Sequence, residues 1–116
     1  MNIKECYACI GANWQEVYER FGCNEAIVKK FAIKFLEDPS FHDMKKAVAE
    51  GDTDRAFRAA HTLKGISSNL EFPALQEKSS KLVDLIRGDQ LENVLPTADT
   101  IKAEYQKIIS KIQELE

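Results

Sequence analysis

Between Leu91 and Leu115 the side chains Leu91, Val94, Ala98, Ile101, Tyr105, Ile108, Ile112 and Leu115 advance by three and four residues in alternation. That repeat matches one face of an α-helix and neither face of a strand. A stripe of this kind needs a neighbouring helix to cover it, and simple core packing within a bundle is the expected use. The same spacings recur along the chain, and no segment alternates apolar and polar residues as a half-buried strand would. The fold class is therefore all-α. Asp89 with Glu92 is expected to open the last helix, and Pro96 means that it either kinks or truly begins there.

The remaining helices are delimited by their own start and stop residues. The opening stretch to about Phe21 has scattered apolar residues and reads as one or two short helices. Gly22 breaks it, and Asn24 then caps a helix in which Ile27, Val28, Phe31, Ala32, Phe35 and Leu36 line the buried side. Asp38-Pro39 ends that run. Ser40 begins the next helix, with Asp43 at the position of a capping-box acid, and Gly51 closes it. Asp52 or Thr53 caps a third helix reaching about Leu70. Pro73 suits the first turn of a fourth, with its stripe at Leu75, Ser79, Leu82, Val83 and Ile86 and its stop at Gly88. Short connections between four long helices make antiparallel neighbours. The expected architecture is one domain over 1–116: an N-terminal helical segment over 1–38, then an antiparallel up-down-up-down four-helix bundle over 40–116.

Length and charge narrow the functional classes. The chain has 116 residues, enough for one core without metal or disulfide staples. A formal net charge of −3 argues against nucleic acid as a partner, because that affinity comes from clustered Lys and Arg. No apolar run approaches the roughly 20 residues needed to span a bilayer. The N-terminus lacks the basic-then-apolar pattern of a secretory signal, so the expected location is cytoplasmic. Cys6 and Cys9 form a C-x-x-C, but zinc needs four ligands and thioredoxin-like chemistry needs a βαβ context. Idle thiols are expected, with no metal and no cofactor. A starting methionine and a charged final helix favour a free-standing protein, expected to be a monomer.

The segment AAHTLKGISSNL, Ala59 to Leu70, holds one of the two histidines. At 100° per residue, Ala56, Ala59, Ala60, Leu63, Ile66, Ser67 and Leu70 share an arc of roughly 120°, the core stripe. Phe57, His61, Lys64, Gly65 and Ser68 fall in a second arc about 100° wide and nearly opposite. Imidazole titrates near neutrality and can carry a covalent phosphoryl group. A lysine one turn away offsets the two or so negative charges that group brings. A glycine beside them costs about 1 kcal/mol of helix stability relative to alanine, and it leaves the ground next to the imidazole clear. His61 is thus the candidate phosphoryl acceptor, Lys64 the stabilising cation and Gly65 the point of access. Phe57 and Ser68 are candidate binding residues on the same arc. His42, without such neighbours, reads as a surface residue.

The run Ala60-His61-Thr62-Leu63-Lys64-Gly65-Ile66-Ser67-Ser68-Asn69-Leu70 resembles the signature of histidine-containing phosphotransfer (HPt) domains. The flanks AVAEGDTDRAFRAAH and ALQEKSSKLVDLIRGD resemble that family too, so the likeness covers roughly Phe31 to the C-terminus. It implies a four-helix bundle in which His61 takes a phosphoryl group from a receiver-domain aspartate and passes it to another. The partners it implies are response-regulator receiver domains and a hybrid histidine kinase, with magnesium held by the receiver. Two positions depart from the family pattern. A glycine usually follows the residue matching Leu70, where this chain has Glu71, and a different turn set by Pro73 is expected. Many members carry Glu or Gln at the position of Val83, which bears on how the imidazole is oriented. An interaction module that docks a receiver or kinase without being phosphorylated is the alternative. An autophosphorylating kinase is disfavoured, because no glycine-rich nucleotide segment is present and Thr62 replaces the acidic residue typical after a kinase's histidine.

Overall fold

The computed structural model describes all 116 residues, and they are helical throughout with no strand. Seven α-helices follow in order: α1 (Ile3–Ile10), α2 (Trp14–Arg20), α3 (Glu25–Lys34), α4 (Ser40–Glu50), α5 (Thr53–Asn69), α6 (Pro73–Arg87) and α7 (Val94–Gln113). Short 3₁₀ turns extend α3 over Phe35–Glu37 and precede α7 over Leu91–Asn93. No helix is long and apolar enough to cross a membrane.

Side-chain caps account for most of the helix starts. Asn2, Asn13 and Asn24 each accept a hydrogen bond from the backbone N–H three residues on, and Asp52 does the same for Arg55. These contacts satisfy donors that an isolated helix end leaves unpaired. The start of α4 differs from expectation. Ser40 is buried in the first turn, no Ser40–Asp43 capping box forms, and the Asp38 carboxylate instead accepts from the Ser40 N–H at 2.9 Å. Pro39 between them has no N–H to satisfy.

The last helix begins at Val94 rather than at Asp89. Asp89 has φ +57, and the turn is closed by N–H donation from Gln90 to the Leu85 carbonyl at 2.8 Å. Pro96 therefore lies in the first turn of α7, where its missing N–H leaves no hydrogen bond broken. Leu91 is consequently exposed, while Val94, Ala98, Ile101, Tyr105, Ile108 and Ile112 are buried.

α5 lies between α4 and α6, α6 packs on α7, and α7 reaches back to α4. One continuous core links these helices to Tyr7, Val17, Val28 and Phe35 of the N-terminal elements. Only Val28, Ala32 and Phe35 of the third segment are buried. Ile27, Phe31 and Leu36 are exposed, contrary to the apolar stripe read from the sequence. α3 lies on the outside of the bundle, so its apolar arc is wider than the surface available to cover it.

The N-terminal segment grips the α5–α6 turn. The buried Tyr7 hydroxyl donates to the Leu70 carbonyl at 2.7 Å, and its ring stacks on Phe72 at 5.6 Å. Glu71 has φ +60, the left-handed conformation that glycine suits, so the expected different turn is not what forms. Its carboxylate pairs with Arg20 at 3.0 Å, and Arg20 also donates to the Ser68 carbonyl at 3.2 Å. A non-glycine residue in that conformation costs about 1–2 kcal/mol, whereas a partly exposed ion pair contributes about 0–1 kcal/mol. Strain is the larger of the two. Glu71→Gly should therefore raise the thermal midpoint, and Arg20→Ala should lower stability by about 0.5–1 kcal/mol, both read by thermal or urea unfolding.

Burial also makes the stability of the fold depend on alkaline pH. It pushes the Cys6 thiol up from 9.0 to about 11, with the neighbouring Cys9 adding to the shift, and it drives the Tyr7 phenol well above its ordinary range. Both groups hold their protons more tightly in the native state than in the unfolded chain. The stability they contribute is complete below pH 9 and is lost as pH rises through the native values. Urea midpoints should fall between pH 9 and 11, with Cys6 responsible for about 2 kcal/mol of the loss. In Cys6→Ala that share of the decline should disappear.

Candidate functional site

The two arcs of α5 separate in the structure as helix geometry requires. Ala56, Ala60, Leu63 and Ser67 are buried, while His61 and Gly65 are exposed and Phe57, Lys64 and Ser68 are half-buried. The buried Ser67 hydroxyl is satisfied by donating to the Leu63 carbonyl at 2.6 Å, so no polar atom on this side pulls the helix from its seat. All five residues singled out in the sequence thus share one side of one helix. His42 is exposed elsewhere, its ring edge-on to Phe41 and Tyr105.

Three properties of that side bear on chemistry. The side-chain hydrogen bonds nearest to His61 on α5 are those of Thr62 and Ser67 to carbonyls four residues back, and the imidazole takes part in neither. Lys64 is in no ion pair: the bridges of the molecule involve Arg20, Arg55, Lys78, Lys111 and the N-terminal amine. Its charge is therefore available to a new anion. Gly65 has an ordinary helical φ, and a Cβ built on it meets nothing within 4 Å. Neither backbone conformation nor packing within the chain calls for glycine there.

Phe57 and Arg87 add a contact that the sequence did not reveal. The rings of Phe57 and His61 are parallel within 1°, with centroids 6.2 Å apart. The Arg87 guanidinium, from the last turn of α6, lies 5.4 Å from the Phe57 centroid. The only sequence signal for Arg87 is a basic residue just before Gly88, which is also what an ordinary helix C-terminus carries. Val83, by contrast, is 1% exposed and belongs to the core, so it presents no polar group to the imidazole.

An apolar groove of about 460 Å³ runs beside α5, lined by Phe21, Phe31, Phe35, Ile66 and Leu70 with Arg20 and Lys34 among its polar margins. It reaches Ile66, the residue after Gly65. No group of three or more His, Cys, Asp or Glu side chains is arranged to hold a metal ion. Cys6 is buried and Cys9 exposed, both as free thiols.

A model of the Hpt domain matches residues 38–111. The chain belongs to the Hpt domain family. Its members are phosphotransfer modules of two-component phosphorelays rather than kinases, and they typically interact with receiver domains. The match begins just before α4 and ends within α7, so α1–α3 lie outside it. No curated protein and no solved structure matches the chain significantly.

Because nothing crowds position 65, Gly65→Ala should stabilise this Hpt domain by about 0.5–1 kcal/mol, the helix-propensity difference. Urea unfolding checks this: a loss of stability would show that the glycine serves the fold itself.

Proposed function

We propose that this Hpt domain is a phosphorelay intermediate. His61 accepts a phosphoryl group from an aspartyl phosphate on one receiver domain and delivers it to an aspartate on another. The observation that carries this reading is the combination at one place: an exposed imidazole, an unpaired lysine three residues on, and a glycine the fold does not need. The lone pair of an unprotonated ring nitrogen attacks phosphorus, forming a P–N bond as the P–O bond to the aspartyl group breaks. The departing carboxylate keeps that electron pair, and the imidazole proton stays on the other nitrogen until solvent removes it. Delivery is the reverse with the second aspartate.

Lys64 offsets the charge of the phosphoryl group on His61, and Gly65 lets group and partner approach. Phe57 and Ser68 border the docking face, and the groove beside Ile66 gives the receiver apolar surface to bury. Magnesium and the rest of the transfer machinery belong to the receiver, so this chain uses no metal or cofactor of its own. A hybrid histidine kinase is the expected source of the first receiver. The chain acts in the cytoplasm as a monomer and as one domain over 1–116. Its N-terminal segment, 1–38, braces an antiparallel up-down-up-down bundle over 40–116, a reading supported by the short connections and by the Tyr7 and Arg20 contacts to the α5–α6 turn.

Transfer from a phosphorylated receiver should give acid-labile, alkali-stable label on the wild type and none on His61→Gln. Lys64→Ala should retain the fold and label about tenfold more slowly, the loss of one charge-assisted contact. If His61→Gln is labelled as well as wild type, His61 is not the acceptor. Receiver binding and downstream signalling that both survive His61→Ala would instead favour a docking module that carries no phosphoryl group.

A further inference from the structure

An exposed imidazole on a helix has a broad χ2 and reorients on the picosecond-to-nanosecond timescale unless something holds it. In-line transfer requires the attacking nitrogen to point along the line to phosphorus, so the fraction of time spent in that orientation enters the rate directly. The usual restraint is a hydrogen bond to the second ring nitrogen. Here the side-chain hydrogen bonds near His61 are those of Thr62 and Ser67, which close on their own helix. Val83, across on α6, is apolar and buried. The restraint has to come from elsewhere.

We infer that Phe57 is a positioning residue for the phosphoryl transfer: an aromatic platform, clamped by Arg87, that sets the orientation of the His61 ring. This rests on the relay reading of His61. Phe57 precedes His61 by four residues, the spacing that places two side chains over one another on a helix. The two ring planes are parallel within 1° at 6.2 Å, and any turn of the imidazole about χ2 short of a half-turn breaks that parallel, offset arrangement. A platform that could itself swing would hold nothing. Phe57 is half-buried, and the Arg87 guanidinium 5.4 Å from its centroid ties it to a second helix. The stack leaves both ring nitrogens free of protein partners, as an acceptor atom must be. It therefore orients the nucleophile without occupying it.

The test separates orientation from docking and from packing. Single-turnover transfer from a phosphorylated receiver is followed at saturating receiver, with receiver affinity and thermal midpoint measured alongside. Phe57→Leu should lower the saturated rate about 3- to 10-fold, the range expected for losing one aromatic pair, a loss that saturation by the receiver keeps separate from any change in affinity. Phe57→Tyr should restore the rate to within about twofold, since the ring is kept. Arg87→Leu should lower it in the same direction by a smaller factor. In NMR spectra of the unphosphorylated protein, the His61 ring-proton resonances should move in Phe57→Leu and stay nearly in place in Phe57→Tyr. A wild-type saturated rate in Phe57→Leu, or a defect confined to affinity or to the thermal midpoint, would overturn the platform while leaving the relay intact. Wild-type protein that takes phosphoryl from neither receivers nor phosphoramidate would overturn the relay itself, and the platform's role in transfer with it.

Discussion

Burial of Ala56, Ala60, Leu63 and Ser67 fixes the rotation of α5 about its own axis, and the remaining features of the site depend on that rotation. Two of the four are alanines and one a serine, small enough to let α4 and α6 approach from either side. Once they are seated, the 100° step leaves positions 57, 61, 64, 65 and 68 no choice but the far side. The proposed chemistry would thus be carried on a rigid element whose register is set by packing, rather than on a loop whose conformation would have to be fixed separately. Turning the helix by one residue would bury the imidazole and expose a core side chain, a cost of several kcal/mol in lost burial and desolvated polar atoms.

The same helix is held at its far end by residues outside the matched domain. Tyr7 and Arg20 bind three points of the α5–α6 turn: the Ser68 carbonyl, the Leu70 carbonyl and the Glu71 carboxylate. The Tyr7 contact is buried and carries most of the weight, because breaking it would strand a carbonyl away from water at about 1–3 kcal/mol. The Arg20 contacts are partly exposed and contribute less. Together they fix how α6 leaves α5. α5 and α6 pack on each other, and Arg87 in the last turn of α6 reaches Phe57 near the start of α5.

How much of this could be read from the residues differs by kind of information. The helices of the bundle and the division of α5 into two arcs were legible, because periodicity survives without knowledge of neighbours. The exposure of Ile27, Phe31 and Leu36 was not. An apolar stripe states what a helix could bury, and only the position of α3 at the bundle's edge states how much it does. Of the two starts the residues offered for the last helix, Pro96 lies within two residues of the observed Val94, whereas Asp89 looks like a cap but its left-handed backbone commits it to the preceding turn. Glu71 hid a glycine-like turn because a neighbour, Arg20, offsets part of the strain. Phe57 was legible as a member of the right arc, but its contact with Arg87 joins residues thirty positions apart and has no local signature.

Taken together, the face around His61 is incomplete in a directed way. A self-sufficient active site excludes water, surrounds its nucleophile with partners and sits in a concavity. Here the imidazole is exposed, the neighbouring cation is unpaired, and the helix carries a glycine that lowers its stability with no return inside the chain. What the face lacks, namely a second wall, dry surroundings and a counter-charge for developing negative oxygen, is what a docked protein surface supplies. The stack of Phe57 and Arg87 fits the same division of labour. On the proposed reading, orientation of the imidazole is the element of pre-organisation that this chain supplies from its own residues, through a ring stack that leaves both nitrogens open to the partner.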